Sequence, residues 1–118
     1  MPEQETTYSI AMLAAVRYLR ELGYENIDEG GFHSDEGDAQ IVASNGGIAH
    51  LVIARAKRTR GSVAKPSESQ AKMRRIAMAY LIGHPDVEEL QFHVIEALIG
   101  EHATATINAS MCAYCWER

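Results

Sequence analysis

At 118 residues, 47% hydrophobic and 23% charged, the chain has the composition of one globular domain over residues 1–118 rather than of a disordered segment. It is long enough to bury a core without disulfide or metal staples. No apolar run comes near the roughly 18 residues that a bilayer crossing requires, and the start, Met1-Pro2-Glu3-Gln4-Glu5, is acidic where a signal peptide would be basic, so the expected location is the cytoplasm with no membrane partner.

Residues 6–22 read as a helix. Thr6, Thr7 or Ser9 can cap it, Ile10, Leu13, Ala14 and Leu19 with Met12, Ala15 and Val16 supply a wide apolar face, and Gly23 stands where a helix-ending glycine belongs. Residues 25–32 form a short strand candidate anchored by Ile27 and Phe32 and interrupted by Gly30-Gly31. Better strands follow at 38–43 and 48–57, and Asn45-Gly46-Gly47 between them is a hairpin signal, because a primed turn needs residues at positive φ. Residues 59–66 make a loop. A second helix begins at Ser67, where Ser67 and Gln70 fit a capping box and Ser69 is the alternative cap. Met73, Ile76, Ala77, Tyr80 and Leu81 recur at helical spacing and define its buried stripe; Gly83-His84-Pro85 ends it. Strands at 90–99 and 103–109 close the chain around a turn at Gly100-Glu101. The expected class is α/β, a three-layer domain with a central mixed sheet flanked by helices, in the order α-β-β-β-α-β-β.

Charge along the chain is segregated. Eight of the eleven Lys and Arg residues fall within 55–75, where the only acid is Glu68, so this stretch carries +7 in a protein of net charge −5. The run 21–38 is the opposite, with seven acids and no Lys or Arg. A polyanion would therefore approach the 55–75 side, where each phosphate neutralised releases condensed counterions. A solvated basic helix face is the plain alternative. Arg58, Arg60, Lys65, Lys72 and Arg75, in the loop and on the outer side of the second helix, are the candidate phosphate contacts. Asp35, Glu36 and Asp38 read as a solvated acidic turn, and His50 and His93 as half-buried strand histidines. Trp116 and Tyr114 read as packing over a sheet edge. Cys112 and Cys115 are too few for a tetrahedral zinc site, and no histidine pair completes one, so they read as reduced structural thiols.

Several of these segments resemble the YraN family of predicted bacterial endonucleases, which have the restriction-endonuclease-like PD-(D/E)XK fold. Ala15-Val16-Arg17-Tyr18-Leu19 with Gly23-Tyr24 is similar to the family's first helix and its exit. Gly37-Asp38-Ala39-Gln40-Ile41-Val42-Ala43 aligns with Gly-Glu-Ile-Asp-Leu-Ile-Ala, and Leu51-Val52-Ile53-Ala54-Arg55-Ala56-Lys57-Arg58 with Val-Phe-Val-Glu-Val-Lys-x-Arg. Lys72-Met73-Arg74-Arg75 with Ala79-Tyr80-Leu81 resembles the basic second helix, and Phe92-His93-Val94-Ile95 and Ile107-Asn108-Ala109 resemble the closing strands.

The resemblance implies a Mg²⁺ site built from a helix-one Glu, the Asp of the first motif, and the Glu and Lys of the second. Here those places hold Met12, Gln40, Ala54 and Ala56, and only Asp38 keeps an acid, which makes it the one weak metal candidate. One carboxylate and one neutral amide do not supply the hard-oxygen set that Mg²⁺ hydrolysis needs. The catalytic positions are therefore degenerate, and no cofactor is expected. Mg²⁺ would enter only if carboxylates had relocated to make an active hydrolase. Two uses of such a domain follow: weak nucleic-acid binding through phosphates without base readout, or a protein contact or homodimer surface at the emptied cleft lined by Ala54 and Ala56.

Overall fold

The structure, a computed structural model, describes residues 2–58 and 63–118. Helix α1 spans Pro2–Glu21 and is followed by β1 (Glu25–Asp28), β2 (Phe32–Ser34), β3 (Gly37–Ala39), β4 (Ile41–Asn45) and β5 (Ile48–Arg58). Helix α2 (Gln70–Gly83) then leads to β6 (Glu89–Ile99), a short 3₁₀ turn at Glu101–Ala103, and β7 (Ala105–Glu117). Five strands form one sheet in the order β1-β4-β5-β6-β7, and β2-β3 is a separate two-stranded ribbon. Only β5 and β6 are parallel; the other neighbours are antiparallel, so the sheet is mixed. The chain is thus α/β, and α2 is the helical crossover that a parallel pair requires. Among the described residues no helix is long and apolar enough to cross a membrane.

Alternation along β5 and β6 sends residues to two different helices. Ala49, Leu51, Ile53, Leu90, Phe92 and Val94 pack with Met73, Ile76, Ala77 and Tyr80 of α2. Val52, Ala54 and Ile95 pack with Ala15, Val16 and Leu19 of α1 on the opposite face. The central strands are buried on both sides, hence their nearly unbroken apolar sequence. The hairpin falls where its turn chemistry puts it: Asn45 pairs with Ile48, and Gly46 and Gly47 between them take φ of 59° and 85°.

Several boundaries differ from expectation for identifiable reasons. The strand expected over 38–43 is broken at Gln40, which leaves the ladder so that its side chain can accept a hydrogen bond from the Ala54 N–H at 2.8 Å. Its first part pairs instead with β2, in the register Phe32↔Ala39 and His33↔Asp38, and the 25–32 strand splits accordingly at Gly30-Gly31. That division adds two short strands to the expected order. Helix α2 starts three residues later than the capping box suggested, because Ser69 is the N-cap and its Oγ accepts from the Lys72 N–H at 3.2 Å. Met73, Ile76, Ala77 and Tyr80 are buried as the spacing required. On α1 the stripe is rotated: Ala11, Ala15, Val16 and Leu19 are buried, while Leu13 is 67% exposed. Strand β7 runs eight residues past its expected end at Ala109 and carries the cysteines and Trp116 within the sheet. Trp116 and Tyr114 do pack against the α2-side core from this edge.

Candidate nucleic-acid interface

The positions that resemble catalytic ones form no cleft. Ala54 is 5% exposed beneath α1, and Ala56 packs with Ala11 and Ala97. Small residues on both sides bring the helix close to the sheet. Met12 packs against the same α1-side cluster, and Gln40 is committed to the Ala54 amide. Asp38 lies elsewhere, exposed on the β2-β3 ribbon, its carboxylate 3.2 Å from His33 Nδ1. A hydrogen bond to the Gly30 carbonyl, followed by the Asp38 carboxylate, raises the pKa of His33. Among the described residues no group of three or more His, Cys, Asp or Glu side chains is arranged to hold a metal ion. Of the two residues expected to line an emptied cleft as a contact surface, Ala54 is buried beneath α1 and Ala56 is half-buried beside it.

The cations fare differently from one another. Arg55 faces the α2 side of β5, where its Nη2 donates to the Ser67 carbonyl at 2.6 Å, Nη1 lies 3.8 Å from Glu68, and Nε lies 3.4 Å from Glu96. The last contact is one of charge alone, since Nε is buried without an aligned acceptor. Lys72 Nζ is 3.5 Å from the same Glu68, and Arg75 Nε is 3.4 Å from Glu36 at the tip of the β2-β3 ribbon. The Ser69 amide, then Lys72 and Arg55, hold the Glu68 carboxyl below the usual range despite partial burial. Among the described residues Arg55, Lys72 and Arg75 therefore have carboxylate partners, and two of those carboxylates, Glu36 and Glu96, come from outside the basic stretch.

Among the described residues Lys57, Arg58, Lys65 and Arg74 form no ion pair. Lys57 and Arg58 close β5 at its C-terminal end, exposed and on opposite faces. Arg58 Nη2 donates to Thr7 Oγ1 at 3.3 Å. Lys65 is exposed on the segment leading to α2. That segment is tied down by Asn108 Nδ2 to the Ala64 carbonyl at 2.8 Å, by Ser110 Oγ to Pro66, and by Arg55 to Ser67. Arg60 lies outside the described residues.

A second polar cluster escaped the sequence reading. His50 and His93 are buried, at 3% and 0% exposure, with His50 Nδ1 and His93 Nε2 2.9 Å apart. The Cys112 backbone N–H donates to His93 Nδ1 at 2.9 Å. A backbone amide can only donate, so His93 carries its proton on Nε2 and gives it to His50 Nδ1, which leaves the His50 proton on Nε2. That atom is buried with no partner. Tyr24 closes over the pair, its ring centroid 4.5 Å from that of His50. Burial drives the pKa of both histidines down, and for His93, with a smaller push from His50, to about 4. Alternation places these histidines inward, but only the bulge in β7 supplies the amide that bonds His93 Nδ1. The chain matches no family model and no curated protein.

Proposed function

We propose that the protein is a non-hydrolytic domain of the restriction-endonuclease-like kind that binds nucleic-acid phosphates weakly and without base readout. Helices on both faces of a mixed sheet, with α2 crossing between the parallel strands, support that fold reading. The observation that carries the binding reading is that, of the four cations with no ion pair among the described residues, Lys57, Arg58 and Lys65 lie together at the end of β5 and on the anchored segment after it, with Arg74 apart on α2. Arg55, Lys72 and Arg75 are held by carboxylates and would have to exchange them for phosphate, so their weight in binding is smaller. Three phosphate contacts correspond to a log–log salt slope of about −2.7 and an affinity in the micromolar range or weaker.

Titrating a short labelled duplex at several salt concentrations tests this. Lys57→Ala, Arg58→Ala and Lys65→Ala combined should flatten the slope and leave the fold intact, since exposed charges add little stability. Equal affinity before and after the triple substitution ends the phosphate reading. With Mg²⁺ or Mn²⁺ the protein should not cleave plasmid, single-stranded DNA or RNA. Robust cleavage that disappears in Asp38→Ala overturns the non-hydrolytic reading.

One observation favours a self-association reading beside this. The outer side of α2 exposes Ile82 at 85%, and with Ala71, Met78 and Ala79 it lines an open groove of about 510 Å³. A concentration-dependent mass in sedimentation that Ile82→Glu abolishes would establish it.

A further inference from the structure

Strand β7 is a 13-residue edge strand, paired on one side only, with β6. On a regular strand two residues three apart point to opposite faces. Here the ladder is interrupted: from the pair Phe92↔Tyr114 to the pair Val94↔Ser110, β6 advances two residues and β7 four. The extra residues form a bulge in which Cys112 takes φ of 53°, the left-handed region that a side chain rarely adopts. The bulge turns Cys112 back to the face of Cys115. Cys112 Sγ lies 3.2 Å from Gln91 Oε1, and Cys115 is the residue directly opposite Gln91 in the ladder. Cys115 Sγ lies 4.0 Å from the carbonyl oxygen of Cys112 itself. Both thiols are free and exposed.

This conformation is fixed from beneath. The Cys112 amide is bonded to His93, which cannot move because it is fully buried and bonded in turn to His50. The bulge is held by the sheet interior, while its side chain is presented to solvent. A strained bulge over a buried acceptor is a means of setting two side chains together on a strand that would otherwise separate them.

We propose that Cys112 and Cys115 are a dithiol exchange site whose substrate class is a small disulfide. The Cys112 thiol loses its proton, and the thiolate attacks one sulfur of the disulfide, breaking its S–S bond and releasing one thiolate that takes up a proton. The Cys115 thiolate then attacks Cys112 Sγ in the mixed disulfide, forming the Cys112–Cys115 bond and expelling the second thiolate, which takes up the Cys115 proton. Two electrons pass from the protein to the small molecule: two S–H bonds and one S–S bond become one S–S bond and two S–H bonds. Burial, followed by the neighbouring Cys112, raises the pKa of the Cys115 thiol, which leaves Cys112 as the thiol that attacks first. His93 is a positioning residue, acting through the Cys112 amide.

The full chain incubated with oxidised glutathione at about pH 8, quenched with acid, alkylated and weighed intact decides this. Wild type should end as a monomer with one internal disulfide, no adduct and no alkylation. Cys115→Ser should stop at the mixed disulfide, and Cys112→Ser should react at least about tenfold more slowly. His93→Asn, which keeps an acceptor near the place of Nδ1, should close as wild type does, whereas His93→Leu should lower the ratio of closed to mixed disulfide by roughly tenfold. Wild type that accumulates a mixed disulfide, forms only intermolecular dimers, or remains fully alkylatable overturns the proposal. The serine variants lie on the surface and decide it even if His93→Leu fails to fold.

Discussion

Protonating His93 requires a charge in a site with no exposed surface, where its only partner on Nδ1 is a backbone amide that cannot accept. Burial, with His50 adding to it, lowers its pKa to about 4, against an ordinary histidine value of about 6.5. The unfolded chain therefore binds the proton more readily, and stability contributed by neutral His93 is complete above about pH 6.5 and lost as pH falls toward about 4. At pH 5 the two values give roughly a thirty-fold shift in the unfolding equilibrium, or about 2 kcal/mol relative to pH 7.5. His50 is shifted in the same direction and adds to the loss. His33 is shifted the other way, so its contribution is present at low pH and fades as pH rises, but it is fully exposed and its effect is small. Glu68, held low by the Ser69 amide, loses its contribution only below this window. Urea unfolding followed by Trp116 fluorescence at steps from pH 7.5 to pH 5 should show the midpoint falling. In His93→Asn, which has no such titration, the slope with pH should be markedly shallower. A wild type as stable at pH 5 as at pH 7.5, or an unchanged slope in His93→Asn, would refute the buried neutral relay.

Four substitutions probe the rest of the architecture. Ser69→Ala should cost about 1 kcal/mol by removing the cap on α2, while Ser67→Ala should stay within about 0.5 kcal/mol; equal losses in chemical denaturation would put the cap elsewhere. Ala54→Glu should lower stability by about 3 kcal/mol, because the carboxylate enters the α1-side core. Wild-type stability with gained Mg²⁺ affinity would show that α1 does not seal this position. Gly31→Ala should cost about 3 kcal/mol or more, since φ is 70° and a Cβ would collide with the Ala39 and Gln40 carbonyl oxygens; a thermal midpoint near that of wild type would contradict the close approach.

The local elements were legible because their causes are local. Gly46 and Gly47 can take positive φ wherever they occur, so the β4-β5 turn follows from two residues. The α2 stripe from Met73 to Tyr80 follows from helical period, and the α/β class from the succession of apolar strands around it.

What tertiary structure decided depends on residues distant in the chain. The rotation of α1, which leaves Leu13 outside, is set by Ala11 and Ala15 fitting against alanines of the sheet, and apolar pattern alone allows several rotations. The charge of the 55–75 stretch is a property of sequence, but its pairing with Glu36 and Glu96 is decided by the fold, which brings them to Arg75 and Arg55. The joining of His50, His93 and Cys112 needs a parallel pair, an antiparallel edge and a bulge at one level of the sheet. Composition and spacing specify hydrophobic period and turn chemistry; which polar groups meet is fixed only when strands far apart in sequence come into register, because hydrogen bonds and ion pairs depend on position to within tenths of an ångström.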